Sequence, residues 1–413
     1  MPPIQLSITN HTGARNRGCE ALVQSMLTGF AAQCDQLHTT LHSSDPLYDR
    51  WRFADHPKLR VLWGYPLLTP NHSAHPWVNR LAYTLARHGE TLLPRLRGIS
   101  TQSLQTLRRA DLVVASGGDI FTSDYANLRK HLAYPLNAPR RGKRRALYLC
   151  SHSIGPFNAA DRDAFLRIAE QIALITVREP LSYHYLTHQL QLPTRVELTA
   201  DVAFTLASAP PEPTRQQLQH HYGLNLEKPI IALSISQGII HYSGLDPQHY
   251  YQTLAQFCDQ QLEHGAQLLF IPHVIERNPN NNDQIACQQV IQRIRAPGPV
   301  RLIAGEPSAS ELKAIIGQCQ LLVGARTHAT IAAMSQGVPT VSLAYSRKAS
   351  GIMQQVYGEQ LGQALTLSAA QLSPQALQDA VEHSQAHPIS PAHLAQLKQQ
   401  AQRNFTLLNE LLP

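Results

Sequence analysis

The sequence predicts an α/β protein with two doubly wound units, each a parallel sheet covered by helices on both faces, and a helical tail. Three observations predict it. Short apolar runs alternate with helical stretches over most of the 413 residues, the pattern of parallel sheets with crossover helices. The alternation breaks once, at Ser208-Ala209-Pro210-Pro211-Glu212-Pro213-Thr214, where clustered prolines argue against a helix or a central strand. Finally, 43% hydrophobic and 15% charged residues form an ordinary globular composition, long enough for two cores at about 100–200 residues per domain.

In chain order, the predicted strands of the first half are Ile4–Thr9, Leu37–His42, Leu59–Trp63, Leu112–Ser116, Ala146–Cys150, Leu174–Val177 and Val196–Thr199. Those of the second half are Ile230–Ile235, Gln267–Ile271, Val300–Ile303, Leu321–Val323 and Thr340–Ala344. Each is a short run rich in β-branched or apolar residues, bounded by polar or glycine-bearing turns. Helical patterns lie between them, as at Cys19–Gln33, Arg162–Gln171, Pro247–His264 and Ser308–Gly317. The expected division is 1–207, a linker at 208–214, 215–365, and a Gln-, Ala- and Leu-rich helical tail at 366–413 that packs back on the body.

Charge and cysteine content narrow the function classes. Lys and Arg number 35 against 28 Asp and Glu, a formal charge of +7, with 21 His besides; such an excess favours anionic partners. No apolar run approaches the ~18 residues of a spanning helix. The opening Met1-Pro2-Pro3-Ile4 reads as the approach to a strand, not a signal peptide, so a cytoplasmic location is expected. Six scattered cysteines form no CxxC pair and no metal-ligand spacing; they suit a reducing compartment and imply no metal. The basic run Arg140-Arg141-Gly142-Lys143-Arg144-Arg145 reads as a solvated loop, or alternatively as a contact for an anionic membrane face. It carries no interleaved aromatic, which argues against nucleic acid.

Ligands of open parallel sheets sit beyond the carboxyl ends of the strands, so the residues there are the candidates. After Leu321–Val323 comes Gly324-Ala325-Arg326-Thr327-His328, then a helix that Gly337 ends. Arg326 and His328 thus fall at a helix N-terminus, the unfavourable end for a cation by some tenths to about 1 kcal/mol. A bound anion reverses that sign, meeting backbone N–H groups, a guanidinium fork and an imidazole together. Arg347 and Lys348 repeat the arrangement after Thr340–Ala344, and Pro272-His273 follows Gln267–Ile271, with Asp283 read as a solvated or capping residue.

In the first half, the strand Ile4–Thr9 runs into Asn10-His11-Thr12-Gly13-Ala14-Arg15-Asn16-Arg17-Gly18, a glycine-bearing loop matching neither GxGxxG nor a P-loop. Gly117-Gly118-Asp119 follows a buried strand and marks either close backbone approach or a tight turn. Ser153-Ile154-Gly155-Pro156 is similar, and Arg178-Glu179-Pro180 puts another arginine at a strand–helix junction, with Glu179 or Asp201 as its alternative ion-pair partner.

Taken together, these motifs resemble the polysaccharide pyruvyl transferase family, which includes the bacterial colanic-acid pyruvyl transferases. The resemblance spans roughly residues 4–360, and Gly337-Val338-Pro339 and Tyr345 complete it. Two departures stand out: the family's usual Gly-Asp at the first helix is here Gly18-Cys19-Glu20, and Asp119 stands where a third glycine is often seen. The resemblance implies two facing Rossmann-like domains of GT-B type, the first on the acceptor side and the second on the donor side. It implies transfer of the enolpyruvyl unit of phosphoenolpyruvate onto two sugar hydroxyls, forming a pyruvate ketal and releasing phosphate, in exopolysaccharide or cell-surface glycan synthesis.

No cofactor or metal beyond the donor is expected. The expected partners are phosphoenolpyruvate and a sugar or lipid-linked oligosaccharide, with peripheral contact at the inner membrane face. On this reading His328 is the acid, Arg326 and Arg178 clamp the donor, Lys348 adds charge, and Glu20 or Asp119 is the acceptor base. Asn10, Asn16, Arg17, Gly117, Gly118, His273 and Tyr345 line the binding sites. Two other readings share these features: a GT-B glycosyltransferase using a nucleotide sugar, and a non-catalytic binder of acidic polymer or membrane.

Overall fold

The computed structural model describes residues 3–64, 97–124, 128–133, 146–344 and 347–412. Tyr345 and the basic run at 140–145 lie outside the described residues. The chain forms two compact units. Unit 1 comprises Met1–Arg15, Leu22–Val202 and Gln400–Pro413, and unit 2 comprises Asn16–Ala21 and Ala203–Gln399.

Unit 1 holds the strands β1 (Ile4–His11), β2 (Leu37–Ser43), β3 (Leu59–Trp63), β4 (Leu112–Ala115), β5 (Gly118–Phe121), β6 (Ala146–Ile154), β7 (Leu174–Val177) and β8 (Val196–Leu198). They run parallel in the order β3-β2-β1-β4-β6-β7-β8, with β5 pairing separately to β6. Alternate residues feed cores on the two faces: Leu6, Ile8, Leu112 and Val114 on one, Val113, Ala115, Leu147 and Leu149 on the other. That double burial is why strands such as β4 and β7 read as continuous apolar runs.

Strand β5 stands where the sequence suggested a glycine turn. A Cβ on Gly117 would come within 2.6 Å of the Ser151 carbonyl oxygen and 2.9 Å of that of Cys150. Gly117 therefore serves close backbone packing against β6, and Gly118, at φ +122°, supplies the turn into β5.

The end of the chain closes unit 1. The helix Pro391–Thr406 delivers Asn404 and Phe405 to its core. Asn404 is fully buried; its side chain accepts from Thr199 Oγ1 (3.0 Å) and donates to the Ala200 carbonyl (2.9 Å), while its backbone carbonyl accepts from the Tyr148 hydroxyl (2.9 Å). Phe405 packs edge-on against Phe30, in space that exists because residue 29 is glycine.

Unit 2 holds β9 (Ile230–Ser234), β10 (Gln267–Phe270), β11 (Val300–Leu302), β12 (Leu321–Gly324), β13 (Thr340–Ala344) and β14 (Thr366–Ser368), all parallel, in the order β11-β10-β9-β12-β13-β14. This is the Rossmann order, with its switch point between β9 and β12. The register there pairs Val323 with Leu233 and Gly324 with Ser234, so both strands end together.

Two boundaries differ from the sequence reading. The proline-rich 208–214 segment leads into a helix, Pro211–Gln216, with Pro211 in its first turn and Ala209 N–H bonded to the Ser310 carbonyl. First-turn residues have no intrahelical N–H partner to lose, so prolines fit there. The chain changes unit earlier, at Val202–Ala203. Strand β14 also falls within the stretch expected to be wholly helical; its three residues are too few to show a period. The helix Pro374–Ala386 then packs Leu377, Ala380 and Val381 into the unit 2 core.

Candidate active site

The unit 2 cluster grows from three strand ends and one helix start. Beyond β12, Arg326 occupies the N-cap position of the helix Thr327–Met334, and His328 lies in its first turn. Arg326 Nη2 donates to Asp283 Oδ1 at 2.7 Å, Nε donates to Oδ2 at 3.1 Å, and Nη2 also reaches Asn281 Oδ1 at 3.2 Å. Asp283 is not a solvated residue: it is fully buried, and its Oδ2 also accepts from the backbone N–H of Val274 (2.9 Å) and His273 (3.2 Å). A carboxylate that deep is held only when paired and hydrogen-bonded. Asp283 therefore fixes the guanidinium and the β10 loop to each other.

His273, beyond β10, is buried with Nδ1 3.2 Å from both Ser234 Oγ and the Ile271 carbonyl. Burial, then the charges of Arg326, His328 and Arg17, lower its pKa to about 3. It is a neutral imidazole and no acid.

The segment Asn16–Ala21 joins this cluster. Asn16 makes an antiparallel bridge with Val274, and Arg17 N–H donates to the His273 carbonyl at 2.8 Å. The Arg17 side chain is 1% exposed, with Nη1 3.2 Å from Glu20 Oε2; Glu20 Oε1 accepts from the Ala309 N–H at 3.2 Å. Ala309 opens the helix Ala309–Ile316, capped by Ser308 and Glu311. Both oxygens of Glu20 are thus engaged, one on a guanidinium and one on a helix N-terminus. Lys348, beyond β13, is buried in the first turn of the helix Arg347–Tyr357.

A second cluster lies in unit 1 at the carboxyl ends of β4, β6 and β7. Arg178 Nη1 pairs with Asp201 Oδ2 at 2.6 Å and Nε donates to Ser153 Oγ at 2.9 Å, all three buried. Asp201, not Glu179, is the partner. Glu179 instead caps the helix Pro180–His184 by accepting from Ser182 N–H, and burial raises its pKa although those bonds oppose the rise. His152 is fully buried, 3.3 Å from the Ala115 carbonyl, and its pKa is lowered to about 3 by burial, with Arg178 adding to the fall. Asp119 and His131 also act on it electrostatically. Asn10, at φ +64°, donates from Nδ2 to the His131 carbonyl at 3.0 Å.

Asn16, Arg17, Glu20, His273, Arg326 and His328 therefore come together in unit 2, which also holds Lys348; unit 1 holds Asn10, Gly117, Gly118, Asp119 and Arg178. The sequence reading missed Asp283 as the brace of Arg326 and missed His152. The polar run Ser151-His152-Ser153 at the end of an apolar strand was the available signal. Among the described residues, no three His, Cys, Asp or Glu are grouped to hold a metal, and no helix is long and apolar enough to cross a membrane.

Two parallel Rossmann-type sheets define a GT-B-like fold, and solved structures share it. The chain is similar to UDP-GlcNAc 2-epimerase from Neisseria meningitidis bound to UDP-GlcNAc (TM-score 0.60, 10% identity, covering 99% of this chain and 100% of that one). It is also similar to sucrose-phosphate synthase from Thermosynechococcus elongatus (TM-score 0.52, 13% identity, covering 100% and 96%). At these identities the likeness concerns the fold alone. The family model for polysaccharide pyruvyl transferase matches residues 16–347, and the chain belongs to that family. Among curated proteins it is similar to the amylovoran biosynthesis protein AmsJ of Erwinia amylovora, 22% identical over 263 residues, which span 62% of this chain and 61% of that protein.

Proposed function

We propose that the protein transfers the enolpyruvyl unit of phosphoenolpyruvate onto two hydroxyls of a sugar in exopolysaccharide or cell-surface glycan synthesis. The observation that carries this reading is the convergence of Arg17, Arg326 and His328 around His273, at the switch point of the unit 2 sheet. Phosphoenolpyruvate presents a phosphate and a carboxylate, and planar recognition of both favours arginine. Arg326, oriented by Asp283 and Asn281, reads one group. Arg17, oriented by Glu20, and Lys348 add charge at the other. Their partners set direction, and the bound anion relieves the cation at the helix N-terminus.

His328 donates a proton to the donor's methylene carbon, and the adjacent carbon becomes oxocarbenium-like. A sugar hydroxyl attacks that carbon, the bond to the phosphate oxygen breaks, and the second hydroxyl closes the ketal. One of the two hydroxyl protons in effect replaces the proton His328 gave, and the other leaves on phosphate. General acid catalysis of this kind contributes about 10²–10⁴-fold. Glu20, with both oxygens engaged, is assigned to holding Arg17 and not to acting as base. Asp119 and Arg178, around His152 in unit 1, are assigned to acceptor binding.

Phosphorus-31 NMR with phosphoenolpyruvate and a panel of lipid-linked oligosaccharides tests the reading. Acceptor-dependent release of phosphate is expected, reduced about 10²-fold or more in His328→Ala. Turnover of a nucleotide sugar with no phosphate from phosphoenolpyruvate would refute it.

A further inference from the structure

Gly18 is the second residue of the helix Arg17–Gln33, a place where helix propensity favours alanine over glycine. Its backbone is not in the left-handed region, so no conformational demand calls for glycine. Space does. A Cβ built on Gly18 would fall on His328 Nδ1 and lie 2.8 Å from His328 Cγ. Cγ is the root of the ring, so rotating the imidazole about its own axis does not relieve the contact; the whole side chain has to leave. Asn16 Oδ1 holds Gly18 in place by accepting from its N–H at 2.9 Å, and Asn16 is itself tied to Val274.

We propose that Gly18 is a positioning residue: its bare Cα is the wall against which the His328 imidazole is held in its working orientation. The proposal rests on the reading of His328 as the proton donor. It gives a function to the glycine of the Gly18-Cys19-Glu20 segment that the glycine-loop motifs left unassigned.

The test is a double-mutant cycle of Gly18→Ala and His328→Ala in the full chain, read by phosphate release and thermal melting. Gly18→Ala is expected to lower kcat by about tenfold to a hundredfold, the cost of a misplaced group, with a much smaller change in KM for phosphoenolpyruvate. In the His328→Ala background the same substitution is expected to leave phosphate release unchanged and to lower the melting temperature by much less than Gly18→Ala does alone, because the contact with the ring is gone and only the close fit to Asn16 Oδ1, 3.1 Å from the added Cβ, remains. If Gly18→Ala alone fails to fold while the double variant folds, the contact is equally supported. The proposal is overturned if Gly18→Ala keeps kcat within about twofold, well inside the misplacement cost, or if both variants carrying it are destabilised alike. Full activity in His328→Ala alone would instead remove the catalytic reading and leave the steric contact to be judged by melting.

Discussion

Three imidazoles carry the clearest single-residue consequence. His42, His152 and His273 are buried, and burial first of all holds each near a pKa of about 3, against an ordinary value of 6.5. The unfolded chain binds protons on these groups where the folded chain does not. Their contribution to stability is therefore complete above pH 6.5 and is lost as the pH falls towards 3. His42, 3.3 Å from Ser7 Oγ, lies outside both clusters. His42→Gln is expected to flatten the pH dependence of urea-unfolding free energy between pH 6.5 and 5 by up to ~1.4 kcal/mol per pH unit, one proton's worth. Equal slopes in the two proteins would contradict the buried neutral imidazole. At this scale, the placement of Arg326 and His328 at a helix start was legible because a strand, a short junction and a helix sit side by side in the chain. Asp283 was not, since its pairing with Arg326 spans 43 positions, and that of Glu20 with Ala309 spans 289.

Among elements, the helix Pro391–Thr406 anchors unit 1 through its last residues. Asn404 gives partners to the Thr199 hydroxyl and the Ala200 carbonyl just beyond β8 and to the Tyr148 hydroxyl of β6, and Phe405 fills the slot at Gly29. Removing the Asn404 amide takes that partner from the Ala200 carbonyl away from water, while the Thr199 hydroxyl keeps the Val177 carbonyl. Asn404→Ala is accordingly expected to destabilise unit 1 by about 1–3 kcal/mol in chemical denaturation; a loss under ~0.5 kcal/mol, typical of a surface change, would contradict that anchoring role. Every strand that the apolar runs predicted is present. Among the described residues two strands were missed, β5 and β14; both are short and carry little apolar signal: β5 is defined by backbone packing at Gly117, and β14 by its place at the sheet edge beside β13. The helix Pro211–Gln216 within the 208–214 segment has a like explanation, because clustered prolines suit a helix start as well as a break.

For the molecule as a whole, two sheets of like strand order place their polar residues at the same topological position, at the carboxyl ends of the central strands. Side chains that are distant in sequence converge there because the Rossmann order sets β10 beside β9 and β9 beside β12, so their carboxyl ends flank the switch point. Unit 2 arranges arginines on carboxylate braces around a neutral histidine, a setting suited to a small dianion or trianion, and phosphoenolpyruvate is the donor proposed for it. Titration calorimetry with phosphoenolpyruvate alone is the most direct measurement of this claim. The wild-type protein is expected to bind the donor without any acceptor, and Arg326→Ala to weaken binding by about tenfold to a hundredfold, the loss of charged hydrogen bonds worth ~1.5–3 kcal/mol. Unchanged affinity in Arg326→Ala, or no heat of binding in the wild type, would contradict it.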